Sequence, residues 1–200
     1  TYTISSVSIS DAATYYCKVS NACTSTPVVS SGIVITVKTS PSVTSQTASV
    51  SVCSGSAAPF SITTTGTSPI TYQWYSPSGS ISSATNNTYT ISSASTSNAG
   101  NYYCVSTNSC GSFTSNVIPL TVNSAPSITS QPSALTKCEN QSALFSVQAS
   151  GTATLAFQWY KGGVSISGAN SSSYLISPVS TADAVNYYCV VTNSCGNATS

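Results

Sequence analysis

Short runs of alternating apolar and polar residues dominate the chain, and turn-forming residues separate them. The clearest runs in the middle of the sequence are PFSITTT, ITYQWYS, NTYTISS, NYYCVST and SNVIPLTV. Because successive side chains of a strand point to opposite faces, this period of two predicts strands with one buried and one exposed face. Gly, Pro, Ser and Asn recur between the runs at the spacing typical of β-sandwiches. The sequence therefore predicts an all-β fold without long amphipathic helices.

The same pattern returns after 85 residues, which is one domain length. Trp74 and Trp159 are separated by this period, and so are Cys104 and Cys189. The motif TYYCKVSNACT near the start is a third copy of NYYCVSTNSCG and NYYCVVTNSCG. Prolines in KTSPSV and NSAPSI each follow an apolar strand and mark a boundary. We predict three segments: residues 1–40 are the last part of a domain, 41–125 a complete domain, and 126–200 a domain without its last strand.

Composition narrows the possible functions. The 200 residues include no His and no Arg, four Lys, and only three acidic residues, which leaves a net charge of +1. Acid–base catalysis lacks its usual groups, so we expect no enzymatic activity, cofactor or metal. Nucleic-acid binding needs clustered basic residues, which are missing here. No apolar run approaches the roughly 20 residues of a transmembrane helix, so we expect no membrane insertion.

The motifs around the tryptophans and the paired tyrosines resemble those of immunoglobulin domains. ITYQWY resembles strand C with its core Trp, and SNAGNYYC or TADAVNYYC resembles the approach to strand F. Tyr15, Tyr102 and Tyr187 hold the position of the tyrosine corner in that resemblance. More narrowly, VCSGSAAPFSITTTGTSPITYQWY resembles the immunoglobulin-like repeats of long bacterial surface proteins, especially those of Bacteroidetes. The resemblance implies tandem immunoglobulin-like β-sandwich domains outside the cell, with strands E to G in residues 1–40.

The chain departs from the immunoglobulin pattern at the inter-sheet disulfide. Counting back twelve residues from the two tryptophans, where strand B usually has its Cys, gives Ile62 and Val147. We therefore expect Cys104 and Cys189 to be buried free thiols without redox reactivity. The predicted core of the complete domain, repeated 85 residues later, comprises Phe60, Ile62, Trp74, Tyr89, Ile91, Tyr102 and Cys104; Trp159 and Tyr187 belong to the later copy.

The remaining cysteines fall at opposite ends of the sandwich that the resemblance implies. Cys53 and Cys138 precede strand B at the far end, whereas Cys23, Cys110 and Cys195 lie in the F-to-G turn at the near end. A disulfide needs Cα atoms within about 7 Å, so these cysteines cannot pair inside one domain. In a head-to-tail array Cys53 could reach Cys195. Partners for the others would lie outside this chain segment.

Two alternatives for the cysteines stay open. A local bridge could join Cys104 to Cys110, although the turn at Asn108–Gly111 would aim Cys110 at solvent. The exposed thiols could also join neighbouring chains. A zinc site is disfavoured, because two cysteines six positions apart without His do not match zinc-ligand spacing.

Other polar and aromatic residues have two interpretations each. Asp11 and Asp183 sit where this family's Asp usually meets an Arg; without Arg, capping the turn before strand F is the simpler role. Outward tyrosines beside the core positions are ordinary half-exposed strand residues or contacts for glycans and protein neighbours; they are Tyr16, Tyr75, Tyr103, Tyr160 and Tyr188. Four Asn-Xaa-Ser/Thr sequons, at Asn86, Asn140, Asn170 and Asn197, are expected by chance in so Ser/Thr-rich a chain.

Three classes of function fit these observations. The first is an extracellular structural array, a rod, stalk or filament on the bacterial surface, whose partners are neighbouring copies of itself. The second is an adhesin module that binds surface glycans or proteins. The third is a spacer in a secreted enzyme. Cysteines typical of an oxidising compartment and a nearly uncharged surface favour the first class.

Overall fold

The structure, a computed structural model, describes residues 1–23 and 26–200. In those residues it forms β-strands and three short 3-10 helices, without an α-helix. The helices span Ile9–Asp11, Thr96–Asn98 and Thr181–Asp183. Each of them follows a serine whose hydroxyl and backbone form a capping box with the third helical residue. The predicted all-β fold is confirmed.

The strands are short, in keeping with frequent turn residues. Numbered in chain order, they are β1 (Thr14–Tyr15), β2 (Lys18–Val19), β3 (Val28–Val29), β4 (Ile33–Val34), β5 (Ser42–Gln46), β6 (Val50–Cys53), β7 (Ala58–Thr65), β8 (Thr71–Ser76), β9 (Gly79–Ser80), β10 (Thr88–Ile91), β11 (Gly100–Asn108), β12 (Gly111–Thr114), β13 (Ile118–Asn123), β14 (Ser127–Ser130), β15 (Ala143–Ser146), β16 (Gln148–Ser150), β17 (Ala156–Lys161), β18 (Val164–Ser165), β19 (Ser173–Ile176), β20 (Tyr187–Asn193) and β21 (Gly196–Thr199).

The residues group into two compact units, each assembled from three stretches of chain. Unit 1 comprises Thr1–Thr47, Phe60–Tyr89 and Tyr102–Val117, and unit 2 comprises Ala48–Pro59, Thr90–Asn101 and Ile118–Ser200. The units do not follow the 85-residue repeat. The predicted boundaries after residues 40 and 125 therefore stay predictions.

Unit 1 contains two antiparallel ladders that bring the core side chains together. β5 pairs with β7, and β8 pairs with β11 in a register that sets Trp74 opposite Cys104. The Trp74 side chain is fully buried, and its Nε1 donates a hydrogen bond to the Asn86 carbonyl at 2.9 Å. The rings of Phe60 and Tyr102 stack with centroids 4.7 Å apart. This core follows from the inward positions of the alternating strands.

The first 40 residues form two small ladders of unit 1. β1 pairs with β4, and β2 pairs with β3, both antiparallel. Their apolar side chains stay largely in solvent, as Ile33 and Val34 illustrate with 67% and 71% exposure. Both ladders therefore form through backbone hydrogen bonds and bury little apolar surface.

Unit 2 repeats the tryptophan arrangement of unit 1. β17 pairs with β20 so that Trp159 lies opposite Cys189, and β18 and β21 flank this pair. A buried cluster of Val147, Trp159, Ala169, Cys189 and Val191 forms its core. Two further ladders join β14 to β16 and β15 to β19. β6 and β13, also in unit 2, pair in parallel.

The predicted core is buried only in part. In residues 41–125, Phe60, Ile62, Trp74, Tyr102 and Cys104 are buried, whereas Tyr89 and Ile91 are half-buried. In residues 126–200, Trp159 and Cys189 are buried, but Tyr187 is half-buried.

Tyr187 lines an open cleft and is half-buried, whereas full burial was predicted. Residues 135–138, the counterpart of β6, belong to no strand. A cleft of about 230 Å³ lies there, lined by Leu135, Phe145 and Tyr187 among others.

Candidate functional site

One disulfide joins distant parts of unit 2. It links Cys53 to Cys195, with Cα atoms 5.5 Å apart and 142 positions between them in sequence. Cys53 ends β6, and Cys195 lies in the turn between β20 and β21. Both residues are half-buried. The structure thus brings together the two exposed-turn cysteines for which the sequence indicated a partner within this chain.

Backbone hydrogen bonds fix the turn that carries Cys53. β6 pairs with β13 so that Cys53 lies opposite Asn123, and the Ser54 amide donates to the Asn123 carbonyl at 2.7 Å. The Gly55 amide donates to the Ala94 carbonyl, and the Ala94 amide donates to the Ser56 carbonyl. Gly55 has a φ of +89°, a conformation that favours glycine. We call residues 53–56, and their counterparts 138–141, the joint turns.

Asn193 fixes the turn that carries Cys195. The Cys195 amide donates to Asn193 Oδ1 at 2.8 Å, which forms an Asx turn. The Asn193 Nδ2 donates to the carbonyls of Ser124 and Thr152 at 2.8 and 2.9 Å. One amide side chain therefore positions the cysteine and also holds Ser124, in the segment between β13 and β14.

The Asx turn of Asn193 occurs three times in residues 1–23 and 26–200. The Cys23 amide donates to Asn21 Oδ1 at 2.9 Å, and the Cys110 amide donates to Asn108 Oδ1 at 2.8 Å. Asn108 also donates to the carbonyls of Thr39 and Thr67, both at 2.8 Å. We call these three segments the Asn-Xaa-Cys turns. The sequence interpretation missed their asparagines, although Asn two positions before Cys recurs in NAC, NSC and NSC.

Six cysteines carry no disulfide in the described residues. Cys17, Cys23, Cys110 and Cys138 are exposed, and Cys104 and Cys189 are buried. The local Cys104–Cys110 bridge is therefore not present. Burial raises the pKa of the Cys104 thiol to about 11 and also raises the pKa of the Cys189 thiol. At neutral pH both groups stay protonated, which makes them poor nucleophiles.

Two of the three carboxylates, Asp11 and Asp183, cap short helices, and Asp183 also forms an ion pair. Asp11 accepts hydrogen bonds from the backbone and hydroxyl of Ser8, and Asp183 accepts the same pair from Ser180. The sequence interpretation missed a second partner of Asp183, because Lys161 Nζ lies 2.6 Å from its Oδ1. The hydrogen bond from Lys161, followed by those from Ser180, lowers the pKa of Asp183 to about 2.

The corner tyrosines have different surroundings. The Tyr15 hydroxyl donates to the Asp11 carbonyl at 3.1 Å, which is the tyrosine-corner bond. In the described part of the chain, the buried hydroxyl of Tyr187 has no hydrogen-bond partner. Burial raises the pKa of Tyr187.

Two of the predicted outward tyrosine pairs stack on the strand surface. Tyr75 faces Tyr103, and Tyr160 faces Tyr188, each pair with ring centroids 4.8 Å apart and planes 3° apart. All four rings are half-buried. The arrangement is that of directly opposed residues on antiparallel strands.

Residues 1–23 and 26–200 contain no group of three or more Cys, Asp or Glu side chains placed to hold a metal ion. Over the same residues, no helix has the length and apolar character required to span a bilayer.

Comparison with known proteins places the geometry in a known family. A model of the immunoglobulin domain matches residues 40–108 and again residues 125–193. Among solved structures, a titin fragment comprising domains I67–I69, in an E-to-A mutated variant, matches with a TM-score of 0.71 at 21% identity over 81% of this chain. Extracellular domains 3–5 of Drosophila OTK match with a TM-score of 0.58 at 22% identity over 98% of this chain. The immunoglobulin domains 1–5 of Sidekick-1 give a TM-score of 0.62 at 17% identity over 97% of it.

The chain accounts for 64% of the titin fragment, 71% of the OTK fragment and 46% of the Sidekick-1 fragment, so it spans less than two thirds of the first of these structures. At these identities the likeness concerns the fold.

Proposed function

Because the chain belongs to the immunoglobulin domain family, with two matched segments in tandem, we propose that it is a structural repeat protein that forms a rod, stalk or filament outside the cell. The setting we propose is the bacterial surface, as the sequence resemblance implies. Neighbouring copies of the protein are its partners in this assembly. A net charge of +1 over 200 residues supports lateral packing, because like chains repel one another only weakly.

The Cys53–Cys195 disulfide is the observation that carries this proposal. Cys53 belongs to the first matched segment, and Cys195 lies two residues beyond the second. The bond therefore adds a covalent tie to the chain connection between tandem repeats. Disulfides persist in oxidising compartments, which supports an extracellular location.

Asn193 supplies a second tie at the same place. Its Nδ2 holds the carbonyl of Ser124, directly before the second matched segment. A flexible linker needs free backbone groups and free rotation, and both are restricted at Ser124. Two ties at one connection would convert a hinge into a stiff coupling. A rod that carries tension needs such a coupling, whereas a single binding module does not.

Small-angle X-ray scattering can test the stiffness of this coupling. We expect the oxidised chain to have one narrow distribution of maximum dimensions, and the C53S/C195S variant to have a broader one. C17S is the matched control, because Cys17 is an exposed cysteine without a disulfide. Equal, broad distributions for the oxidised wild type and for C53S/C195S would contradict a structural role for the bond.

The adhesive alternative is favoured by the stacked pairs Tyr75–Tyr103 and Tyr160–Tyr188. Half-buried tyrosines offer apolar ring surface together with a hydroxyl, which suits glycan or protein contacts. Its test is titration with neutral polysaccharides, monitored by tyrosine fluorescence. Binding by the wild type that is lost in Y75S/Y160S would support this function, and no change in fluorescence would remove it.

We also propose that the chain has no catalytic site of its own. Its three carboxylates, Asp11, Glu139 and Asp183, are far apart in sequence, and two of them cap helices. Hydrolysis of polysaccharide or peptide substrates by the purified chain, lost in a variant of one named residue, would contradict this.

A further inference from the structure

The second joint turn has the same backbone arrangement as the first. The Asn140 amide donates to the Val179 carbonyl at 3.0 Å, and the Val179 amide donates to the Gln141 carbonyl at 2.9 Å. These bonds match those of Gly55, Ala94 and Ser56 at the first joint turn. Asn140 has a φ of +65°, in the same left-handed region as Gly55. The turn after Cys138 thus repeats the hydrogen bonds of the turn after Cys53, but Cys138 lies in no strand, is exposed and carries no disulfide.

Two Asn-Xaa-Cys turns also lack the partner that the third one has. Cys110 lies in the sequence NSCG, which is identical to that around Cys195, and it has the same amide bond to its asparagine. Cys23 makes this bond as well. Both sulfurs are exposed and free. The chain therefore also carries a joint turn and two Asn-Xaa-Cys turns whose cysteines form no disulfide.

The Cys53–Cys195 disulfide shows which kinds of turn can be joined. A joint turn and an Asn-Xaa-Cys turn meet with Cα atoms 5.5 Å apart at Cys53 and Cys195, within the range that a disulfide requires. The same two turn types, with the same local hydrogen bonds, remain at Cys138 and at Cys23 or Cys110. A lone exposed cysteine would indicate nothing by itself; the bond at the equivalent positions indicates the partner.

We propose that Cys138 forms a disulfide with the Asn-Xaa-Cys turn of a second copy of this chain, at Cys23 or Cys110, and so links copies into a longer array. The inference rests on the proposed structural function and deepens it by naming the contact between copies. Lys137 and Glu139 flank Cys138, are exposed and carry opposite charges, so they add no net charge that would repel a nearly neutral copy.

The chemistry is thiol–disulfide exchange with a small disulfide oxidant such as oxidised glutathione. A thiolate of one copy attacks the oxidant, which releases one glutathione thiol and leaves a mixed disulfide. The second thiolate then displaces the other glutathione thiol. Two protein thiols are oxidised to one disulfide, and one glutathione disulfide is reduced to two thiols.

The experiment starts from fully reduced chain that is oxidised with a glutathione redox buffer at high protein concentration. We expect non-reducing electrophoresis to show a ladder of multimers, and peptide mapping to show Cys138 linked to Cys23 or Cys110. C138S should reduce the multimer fraction by about tenfold or more, since exposed thiols without a matched turn pair only at random. C17S, the matched control, should keep the ladder.

The failure of this inference and the failure of the proposed function give different results. If the Cys53–Cys195 peptide forms fully while Cys138 remains open to alkylation, the link between copies is wrong and the internal coupling stands. Multimers joined through Cys17, or through Cys138 to Cys138, would also overturn it. If the Cys53–Cys195 peptide itself does not form, the proposed structural function loses its support.

Discussion

Residues 41–125 and 126–200 are two copies of one sequence pattern, with the same register around the tryptophan. Both bury a tryptophan opposite a cysteine, and both bond the cysteine amide to a serine hydroxyl, Ser115 in one and Ser200 in the other. They differ at the strand before the joint turn. Val50 is 7% exposed on β6, whereas its counterpart Leu135 is 41% exposed outside any strand.

The tryptophan core and the cysteine turns depend on contacts close in the fold, and they form in both copies. β6 pairs in parallel with β13, whereas residues 135–138, its counterpart in the second copy, belong to no strand. Equivalent residues of the two copies can therefore be mutated as matched controls for one another.

The largest expected effect concerns the disulfide. C53S/C195S should lower the free energy of unfolding by up to about 4 to 5 kcal/mol, because the bond closes a loop of 142 residues in the unfolded chain. Urea unfolding under oxidising conditions measures the loss. C110S/C138S removes the equivalent but unbonded cysteines and should leave the stability of the monomer within error. An equal loss in both variants would show that the two joint turns do not differ.

The next effect concerns the tryptophans. W74A should cost about 3 to 5 kcal/mol, since it empties a fully buried site. W159A should cost a similar amount, because Trp159 is also fully buried. The remaining tryptophan of each variant reports unfolding by its fluorescence. A cost below about 1 kcal/mol for either variant would contradict the place of that tryptophan in a packed core.

A smaller effect separates the two asparagines. N108A and N193A each remove two hydrogen bonds to carbonyls and one from a cysteine amide, and each should cost about 1 to 3 kcal/mol. Only N193A should also make the disulfide easier to reduce, because only Cys195 is bonded. Titration with dithiothreitol measures this difference. The same midpoint for N193A and N108A would show that the asparagine does not position the sulfur.

The smallest effect is a pH dependence confined to the second copy. The folded-state pKa of Asp183 is lowered from 3.8 to about 2, so its contribution to stability is complete above the unfolded value and is lost as the pH falls through about 2. Ser76 and Asn98 occupy the equivalent positions in the first copy and do not titrate. As the pH is lowered from about 5 to about 2, the midpoint temperature of unfolding should fall less steeply for D183N than for the wild type. The pKa of Asp11 is also lowered, but Asp11 is present in both proteins and so contributes equally to the pH dependence of each. If the midpoint temperature depends on pH with the same slope in both proteins, the Lys161–Asp183 ion pair does not stabilise the fold.

The sequence predicted the all-β fold and the Cys53–Cys195 pair, because both depend on patterns that repeat along the chain. Alternation predicted the strands, and the 85-residue period predicted which turns correspond. It did not find Asn108, Asn193 or Lys161. Their roles depend on which carbonyls and carboxylates approach them, and those partners are up to 69 positions away. It also placed Tyr187 in the buried core, because the 85-residue period transfers the burial of Tyr102 to Tyr187, which is half-buried.

The burial of Cys104 and Cys189 has a consequence for the fidelity of oxidative folding. A thiol with a pKa of about 11 is ionised to about one part in ten thousand at neutral pH, so it hardly enters exchange reactions once its strand has folded. Withdrawing two of the eight cysteines lowers the number of complete pairings from roughly a hundred to about fifteen. If the tryptophan cores form early, the cysteines in the turns therefore have far fewer incorrect cysteines with which to pair.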